Sequence, residues 1–509
     1  MLLAPVYIAI LASTLAAILI VRRLRSPLQK VPGPTISLFT SSILKWKEIN
    51  AARTLYIHAL HEKYGPVVRI APNEVSFTSW PALKEIYCSG GSGYDKSDFY
   101  NLFRIYGRRT MFTTLRKADH AKRKRILADR YANTNVMRSV SLEGIQKRSR
   151  AFLNRCAQAG NSPTDVFAFS SLILANSWEQ ISLHAYACDC VTHHLFHPNG
   201  SDCIGTKAAE EMMHQVAADD SLKNRLISHY SPTVHRLLAN IISLFIKPRS
   251  VPLADKYVLQ TSSRTDAASF TLMSRLEEKT GDLDHTDIAA ECLDHMVAGI
   301  DTTGDTLCFL MWELSLPRSF HLQLKLQEEL RKNSDAGIDQ LPFLDAVLCE
   351  GLRRYPAIPM SLPRVVPQGG RTIDGYNLPE STIVSCQPHS VHRVNQDVFP
   401  EPERFHPDRW MEADGDTDRR RLLFSFSNGG RGCIGKHLAI AEMKILLRDV
   451  YSRYHTVPDR STTPESMAMS DQLISTRPLS KKCLLKFYPL LDVSRRDHSE
   501  DAEDTEDAE

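Results

Sequence analysis

The chain's 509 residues are 43% hydrophobic and 24% charged, with 62 basic against 59 acidic side chains and a net charge of +3. That balance excludes a disordered or fibrous chain and leaves no global field for nucleic acid, so an electrostatic partner has to be read from local patches. Eleven cysteines, an odd number without a CxxC pair, speak for a reducing compartment and mostly inert thiols rather than a disulfide framework.

Residues 1–21 form an almost unbroken apolar run, long enough to cross a bilayer core as a helix, followed by Arg22, Arg23 and Arg25. The basic side chains follow the run and none precedes it. This is the reverse of a cleaved signal peptide, and it predicts a transmembrane helix with everything downstream cytosolic. Lys30-Val31-Pro32-Gly33-Pro34 cannot continue a helix, which makes 22–34 a basic, proline-rich hinge.

No linker divides residues 35–490, which read as one large domain, mainly α with small β-sheets. Residues 55–64 carry helical spacing, and 67–70 with 74–78 read as a strand hairpin around Ala71-Pro72-Asn73. The stretch 94–115 is irregular and carries Phe99, Tyr100, Phe103, Tyr106 and Phe112, and a dense basic run, 119–125, then enters a helix. His184, Cys188, Cys190, His193 and His194 are dense enough to hold a metal, but their spacing fits no standard zinc site and the plainer reading is a helix end and loop. Asn199-Gly200-Ser201 is a glycosylation sequon that a cytosolic domain would not present to the machinery. Residues 491–509 end in an acidic block that reads as a solvated, disordered tail.

Residues 286–316 are the longest helical pattern, with Thr286-Asp287 as its cap and Pro317 as its stop. Its centre is Ala298-Gly299-Ile300-Asp301-Thr302-Thr303-Gly304, although each glycine costs about 1 kcal/mol relative to alanine and Asp and Thr are poor helix formers. A local rule broken in the middle of a buried helix marks a function. Ala298 and Gly299 are small enough to admit a flat cofactor and dioxygen, the Thr302 hydroxyl can bond the helix or bound oxygen and water, and Asp301 can relay protons.

Glu350 and Arg353 lie three apart on one helix face, and Pro402-Glu403-Arg404-Phe405 follows downstream. The stretch Phe426-Ser427-Asn428-Gly429-Gly430-Arg431-Gly432-Cys433-Ile434-Gly435 holds one thiol among four glycines, just before a helical run over 436–451. Gly429 and Gly435 let backbone approach closely, and a thiol at a helix start is biased toward thiolate, from about 8.5 toward roughly 3.5 to 7.5. An anionic sulfur is what a haem iron needs to favour cleavage of the O–O bond.

The spacing Phe-x-x-Gly-x-Arg-x-Cys-x-Gly resembles the haem-ligand loop of the cytochromes P450, and the 298–303 run, Glu-x-x-Arg and Pro-Glu-Arg-Phe resemble further motifs of that family in its order. The resemblance implies the cytochrome P450 fold and haem b, iron protoporphyrin IX, with Cys433 as the axial ligand of the iron. It implies Phe426 as a shield of the sulfur, and Arg431, Arg364 and the pair His120 and Lys124 as propionate partners. Glu350, Arg353 and Arg404 become a buried structural network. Residues 94–115, 357–362 and 467–474 become walls of the substrate pocket, with Ile358, Met360 and Leu362 making one of them apolar.

The activity implied is that of a membrane-anchored haem-thiolate monooxygenase of fungal secondary-metabolism type, with catalytic Asp301 and Thr302 and an apolar substrate such as a polyketide or terpene. The alternatives are a desaturase, ring-coupling or rearrangement enzyme of the same family and, from another class, a non-catalytic haem sensor or carrier. With no flavin- or nicotinamide-binding segment, electrons of NADPH would come from NADPH-cytochrome P450 reductase at the endoplasmic reticulum membrane, with cytochrome b5 as a second candidate donor. Lys122, Arg123, Lys124, Arg125, Lys436, Lys444 and Arg448 are the candidate docking patch for an acidic flavoprotein.

Overall fold

The computed structural model describes residues 3–167, 183–196, 222–244, 253–263, 267–278 and 283–490. The expected sequon and acidic tail lie outside these. The chain is mainly helical with small sheets. The described chain begins with α1 (Leu3–Leu24), and six helices frame the site: α2 (Trp80–Cys88), α3 (Lys117–Leu127), α4 (Leu183–Phe196), α5 (His285–Ser315), α6 (Pro342–Arg354) and α7 (Lys436–Tyr451).

α1 closes on Arg22 and Arg23 and exposes Tyr7, Ile10, Leu11, Leu15 and Ile18. Among the described residues no helix is long and apolar enough to cross a membrane. The transmembrane span expected over 1–21 is therefore not met by the structure, which has there a helix with exposed apolar side chains.

α5 runs through the middle of the molecule. Its cap lies two residues before the expected one: Asp284 accepts from the Asp287 N–H at 2.8 Å, and the Asp287 side chain accepts from the Asp284 N–H, a reciprocal capping box. Every residue from Thr303 to Ser315 is buried. α4 packs along it, which explains the two glycines. A Cβ on Gly299 would lie 2.7 Å from Val191 Cγ2, and one on Gly304 would lie 2.4 Å from His184 Cδ2. Gly299, expected to make room for a cofactor, lines the cavity described below, and its missing side chain also makes room for α4.

Seven strands matter for the site: β1 (Val67–Ala71), β2 (Glu74–Phe77), β3 (Asp95–Lys96), β4 (Arg364–Val365), β5 (Ile383–Cys386), β6 (Met469–Asp471) and β7 (Thr476–Pro478). The first five make one sheet in the spatial order β1, β2, β5, β4, β3, with β2 and β5 parallel. β6 and β7 form an antiparallel hairpin. The β3–β4 register sets Lys96 opposite Arg364.

The His184–His194 cluster sits on α4 with all of its five members buried. Among the described residues no group of His, Cys, Asp and Glu is arranged to hold a metal ion.

Candidate active site

The cysteine loop is built before its helix begins. The Cys433 N–H donates to the Phe426 carbonyl at 2.8 Å and the Gly432 N–H to the Gly429 carbonyl at 2.9 Å. Gly429 has φ of +70°, and a Cβ there would lie 2.1 Å from the Tyr87 carbonyl of α2, so no other residue fits without moving backbone. Gly435 has an ordinary φ of −81°; an added Cβ would stand 4.0 Å from Cys433 Sγ. Its role is open space beside the sulfur rather than a special backbone angle. Cys433 is exposed into the cavity beside the loop. The surrounding protein, by desolvating the thiol, pushes its pKa up, against the pull of the Gly435 N–H and of Lys124 and Lys436.

Behind the loop stands a buried charge network. Glu350 receives a two-pronged contact from Arg353 at 2.8 Å on each oxygen, the His406 N–H and the Trp410 Nε1–H at 2.9 Å each, and Arg409 at 3.3 Å. Arg353 is fully buried and also donates to the carbonyls of Pro402 and Arg404. The expected third member, Arg404, is corrected to Arg409. The Arg404 side chain is 59% exposed and pairs with Glu401, because the turn at 401–404 aims its carbonyl inward and its guanidinium out. Glu403 closes the outer ring with Arg354 and Arg393, both at 2.7 Å.

The loop opens on a cavity of about 510 Å³, lined by Cys433, Phe426, Arg431 and Gly435 from the loop and by Ala298, Gly299, Asp301 and Thr302 from α5. One end is basic: Lys96, His120, Arg364 and Arg431 all line it. Arg364 donates to the Tyr100 hydroxyl at 2.8 Å, and Arg431 to the Leu115 carbonyl at 2.9 Å and to Asp95 at 3.1 Å. The Nε atoms of both arginines are buried and have no hydrogen-bond partner among the described residues. Burial, then the charges of Arg364 and Arg431, pull the Lys96 ammonium well down. Burial and the same cations take His120 to about 3, and burial takes Arg431 to about 10. Lys124 departs from the expectation: it is not among the lining residues, and its Nζ spans the Gly430 and Gly432 carbonyls at 2.9 and 3.1 Å.

The wall on the α5 side carries the carboxylate and hydroxyl. Thr302 Oγ1 donates to the Ala298 carbonyl at 2.7 Å, one turn back. Asp301 Oδ2 lies 3.3 Å from Arg477 Nη2 on β7, and burial raises its carboxyl against the pull of that guanidinium. Toward the start of α5, His295 Nδ1 meets the Tyr131 hydroxyl at 2.6 Å, and Glu291 receives Arg123 and the Met111 N–H at 2.9 Å each. The remaining walls come from Tyr100, Phe103 and Phe112, from Ala357, Ile358 and Leu362, and from the tip of the β6–β7 hairpin at 472–475. Met360, expected in that wall, is buried in the core and does not line the cavity.

The expected docking patch is smaller than the sequence implied. Lys444 is buried and held by Asp345 at 2.9 Å, Arg123 by Glu291, Arg448 by Asp449, and Lys124 by loop carbonyls. Lys122, Arg125 and Lys436 remain exposed. Sequence reasoning also missed Arg409, Lys96 and Arg477. Only the dense run around Lys96, Tyr-Asp-Lys-Ser-Asp-Phe-Tyr, carries a signal, a lone lysine among aromatics.

Comparison with known proteins agrees with this architecture. Cytochrome P450 monooxygenase aflV of Aspergillus parasiticus is 28% identical over 487 residues, covering 91% of each chain. Cytochrome P450 monooxygenase stcB of Emericella nidulans is 28% identical over 483 residues, covering 90% of this chain and 88% of its own. A third, cypX of Dothistroma septosporum, is 27% identical over 484 residues and 90% of each chain. The Cytochrome P450 family model matches residues 31–484, so the chain belongs to the cytochrome P450 family and is a monooxygenase.

Proposed function

We propose that this chain is a haem-thiolate monooxygenase that oxidises an apolar secondary metabolite, of polyketide or terpene type, with electrons of NADPH delivered by a separate reductase. The observation that carries the reading is a single cavity bearing the Cys433 sulfur, a buried basic end and the Asp301-Thr302 pair.

The family implies haem, and the residues fit it. Four buried basic side chains crowd one end of the cavity, two of them opposite each other in a strand register where like charges repel. Two anionic carboxylates in that place would relieve the repulsion and occupy the unpartnered Nε atoms of Arg364 and Arg431. Cys433 would hold the iron, with Phe426 screening the sulfur and Gly435 leaving room beside it. When bound, haem supplies the activation of dioxygen and the oxidation of the substrate.

The chain's own residues then do the rest. Ala298 accepts the Thr302 hydroxyl and fixes it at the helix surface. Asp301 supplies protons to that hydroxyl, and Arg477 holds the carboxylate in place. Tyr100, Phe103, Phe112 and Ile358 exclude water and receive the apolar substrate. Lys122, Arg125 and Lys436 offer the reductase a docking surface, with cytochrome b5 as an alternative donor. α1 associates the protein with the endoplasmic reticulum membrane, its exposed apolar side chains being the support. The fungal relatives support the secondary-metabolite assignment.

The test is direct. A Cys433→Ala chain is expected to lose the red-shifted carbonyl band of the reduced haem protein; a surviving band would refute the ligand. With labelled dioxygen, label in the product confirms oxygen insertion. Unlabelled desaturated or coupled product replaces that reading with the corresponding alternative reaction.

A further inference from the structure

One turn beyond Asp301, α5 carries a second carboxyl that the mechanism above does not use. Asp305 is fully buried, and its Oδ1 lies 3.0 Å from Nε2 of His184, itself 1% exposed, on α4. Side chains four apart on a helix are neighbours, roughly 5–6 Å between Cβ atoms. The Oδ1 of Asp301 and the Oδ2 of Asp305 are both buried and make no hydrogen bond among the described residues. Arg477 acts on both carboxyls from β7.

We propose that Asp305, held by His184 and faced by Arg477, is the proton store that recharges Asp301, so that protons reach the site from the α4–α5 interface. This rests on the reading of Asp301 as the proton-delivering acid.

Charge balance gives the resting arrangement. One guanidinium faces two carboxyls, and a second buried anion beside the first would be uncompensated. Burial pushes Asp305 up to about 8, against Arg477, and takes His184 down to about 3. At neutral pH Asp305 is thus the protonated acid donating to a neutral imidazole, and Asp301 is the anion paired with Arg477. The other titratable groups around the pair are Cys308 on α5, Asp165 behind His184, and Cys483 beside Cys308.

On turnover the two carboxyls, which make no hydrogen bond to each other at rest, close on one another, and the Asp305 O–H bond breaks as an O–H bond forms on the Asp301 anion. No electron moves, and the negative charge passes to Asp305, where Arg477 still faces it. Asp305 regains its proton through the His184 imidazole from the α4 side, with water as the ultimate donor, restoring the start. Asp305 touches neither substrate nor cofactor and is a positioning and supply residue. Gly304 serves the same device, since a side chain there would drive His184 away.

The experiment compares the haem-loaded full chain with its Asp305→Asn and Asp301→Asn variants. Asn is nearly isosteric with a protonated Asp, so Asp305→Asn is expected to fold and to keep the red-shifted carbonyl band. Infrared spectroscopy at pH 7 should show a buried protonated carboxyl in the parent that is absent in Asp305→Asn and fades in the parent as pH rises through about 8. With NADPH and reductase and no added organic substrate, Asp305→Asn should slow NADPH oxidation about tenfold, the scale of partners that act through another residue. It should also flatten the pH profile near 8 and change the solvent deuterium isotope effect.

An absent infrared band overturns the proposal. A normal rate and isotope effect in Asp305→Asn, with Asp301→Asn slowed, overturns the relay while leaving Asp301 as the acid. Unchanged kinetics in both variants overturns the relay and the role of Asp301 together. If Asp305→Asn fails to load haem, His184→Gln carries the same kinetic test.

Discussion

The two faces of the cavity are organised differently. Behind the sulfur the buried carboxylate is tied down by close partners: Glu350 alone receives hydrogen bonds from Arg353, the His406 N–H and Trp410 and an ion pair from Arg409. On the α5 side the charged groups are held more loosely, with Asp301 at 3.3 Å from Arg477 and one oxygen of each of Asp301 and Asp305 without a hydrogen bond among the described residues. A site that holds a ligand gains from satisfied, rigid networks, whereas a site that moves protons needs carboxyls whose charge can change. The difference teaches which variants should unfold the protein and which should only silence it.

The contrast is tested hardest on the sulfur side. Glu350→Gln leaves the buried Arg353 and Arg409 without their carboxylate and should cost about 3–5 kcal/mol in chemical denaturation, with loss of haem uptake; Arg409→Ala, which leaves Glu350 paired with Arg353, should cost less but more than a surface change. Arg404→Ala, at an exposed ion pair, should stay within about 1 kcal/mol of the parent. If Arg404→Ala were the damaging change, the assignment of Arg409 would be wrong. On the α5 side the expected signature is reversed. Asp301→Asn should keep its fold and its reduced carbonyl band while turnover falls on the order of a hundredfold.

Gly304→Ala probes the seam between the two helices. The new methyl meets the His184 ring, and overpacking should lower stability by about 1–3 kcal/mol in thermal melts. The pH dependence sharpens the comparison further. Burial takes Glu442 from 4.5 and Asp305 from 3.8 to about 8 each. Both carboxyls therefore have a raised pKa in the folded state: their contribution is full below about pH 4 and is lost as pH rises toward 8. Melting temperature should fall across that range, and Glu442→Gln should flatten the fall; a parallel curve would count against a protonated Glu442. The smallest effect is kinetic. Reversing Lys122, Arg125 and Lys436 to Glu should slow reduction by the reductase severalfold at low salt and little at high salt.

Motifs with short, fixed spacing were legible in the sequence. The cysteine loop, the Glu350-Arg353 pair and the Ala298–Thr303 run all occupy one cavity or its immediate support, because each is local to one turn or helix. What could not be read depends on chain far away. Whether Arg404 or Arg409 turns inward is set by how 400–410 folds over α6. Gly299 lines the cavity, but a missing side chain does not announce that α4 also requires its absence. Lys96 becomes part of the basic end only through its strand register with Arg364, and Asp305 gains meaning only when α4 brings His184 to it. Lys444 looked exposed in a basic helix and is in fact buried against Asp345.

The cysteine loop's fastenings also bear on how the cofactor arrives. The Phe424 N–H donates to His392 Nε2 at 2.9 Å, Ser425 Oγ to the Leu352 carbonyl at 2.7 Å, and His392 Nδ1 contacts the Arg353 carbonyl at 2.8 Å. All of these are protein-to-protein bonds, so the loop takes its shape from α6 and the 388–394 helix. A receptor whose shape is fixed by its own chain has little conformational entropy left to lose on capture. Uptake of the prosthetic group then resembles the docking of a rigid plate into a finished slot, with a rate that scales with its concentration rather than with a slow ordering of the polypeptide.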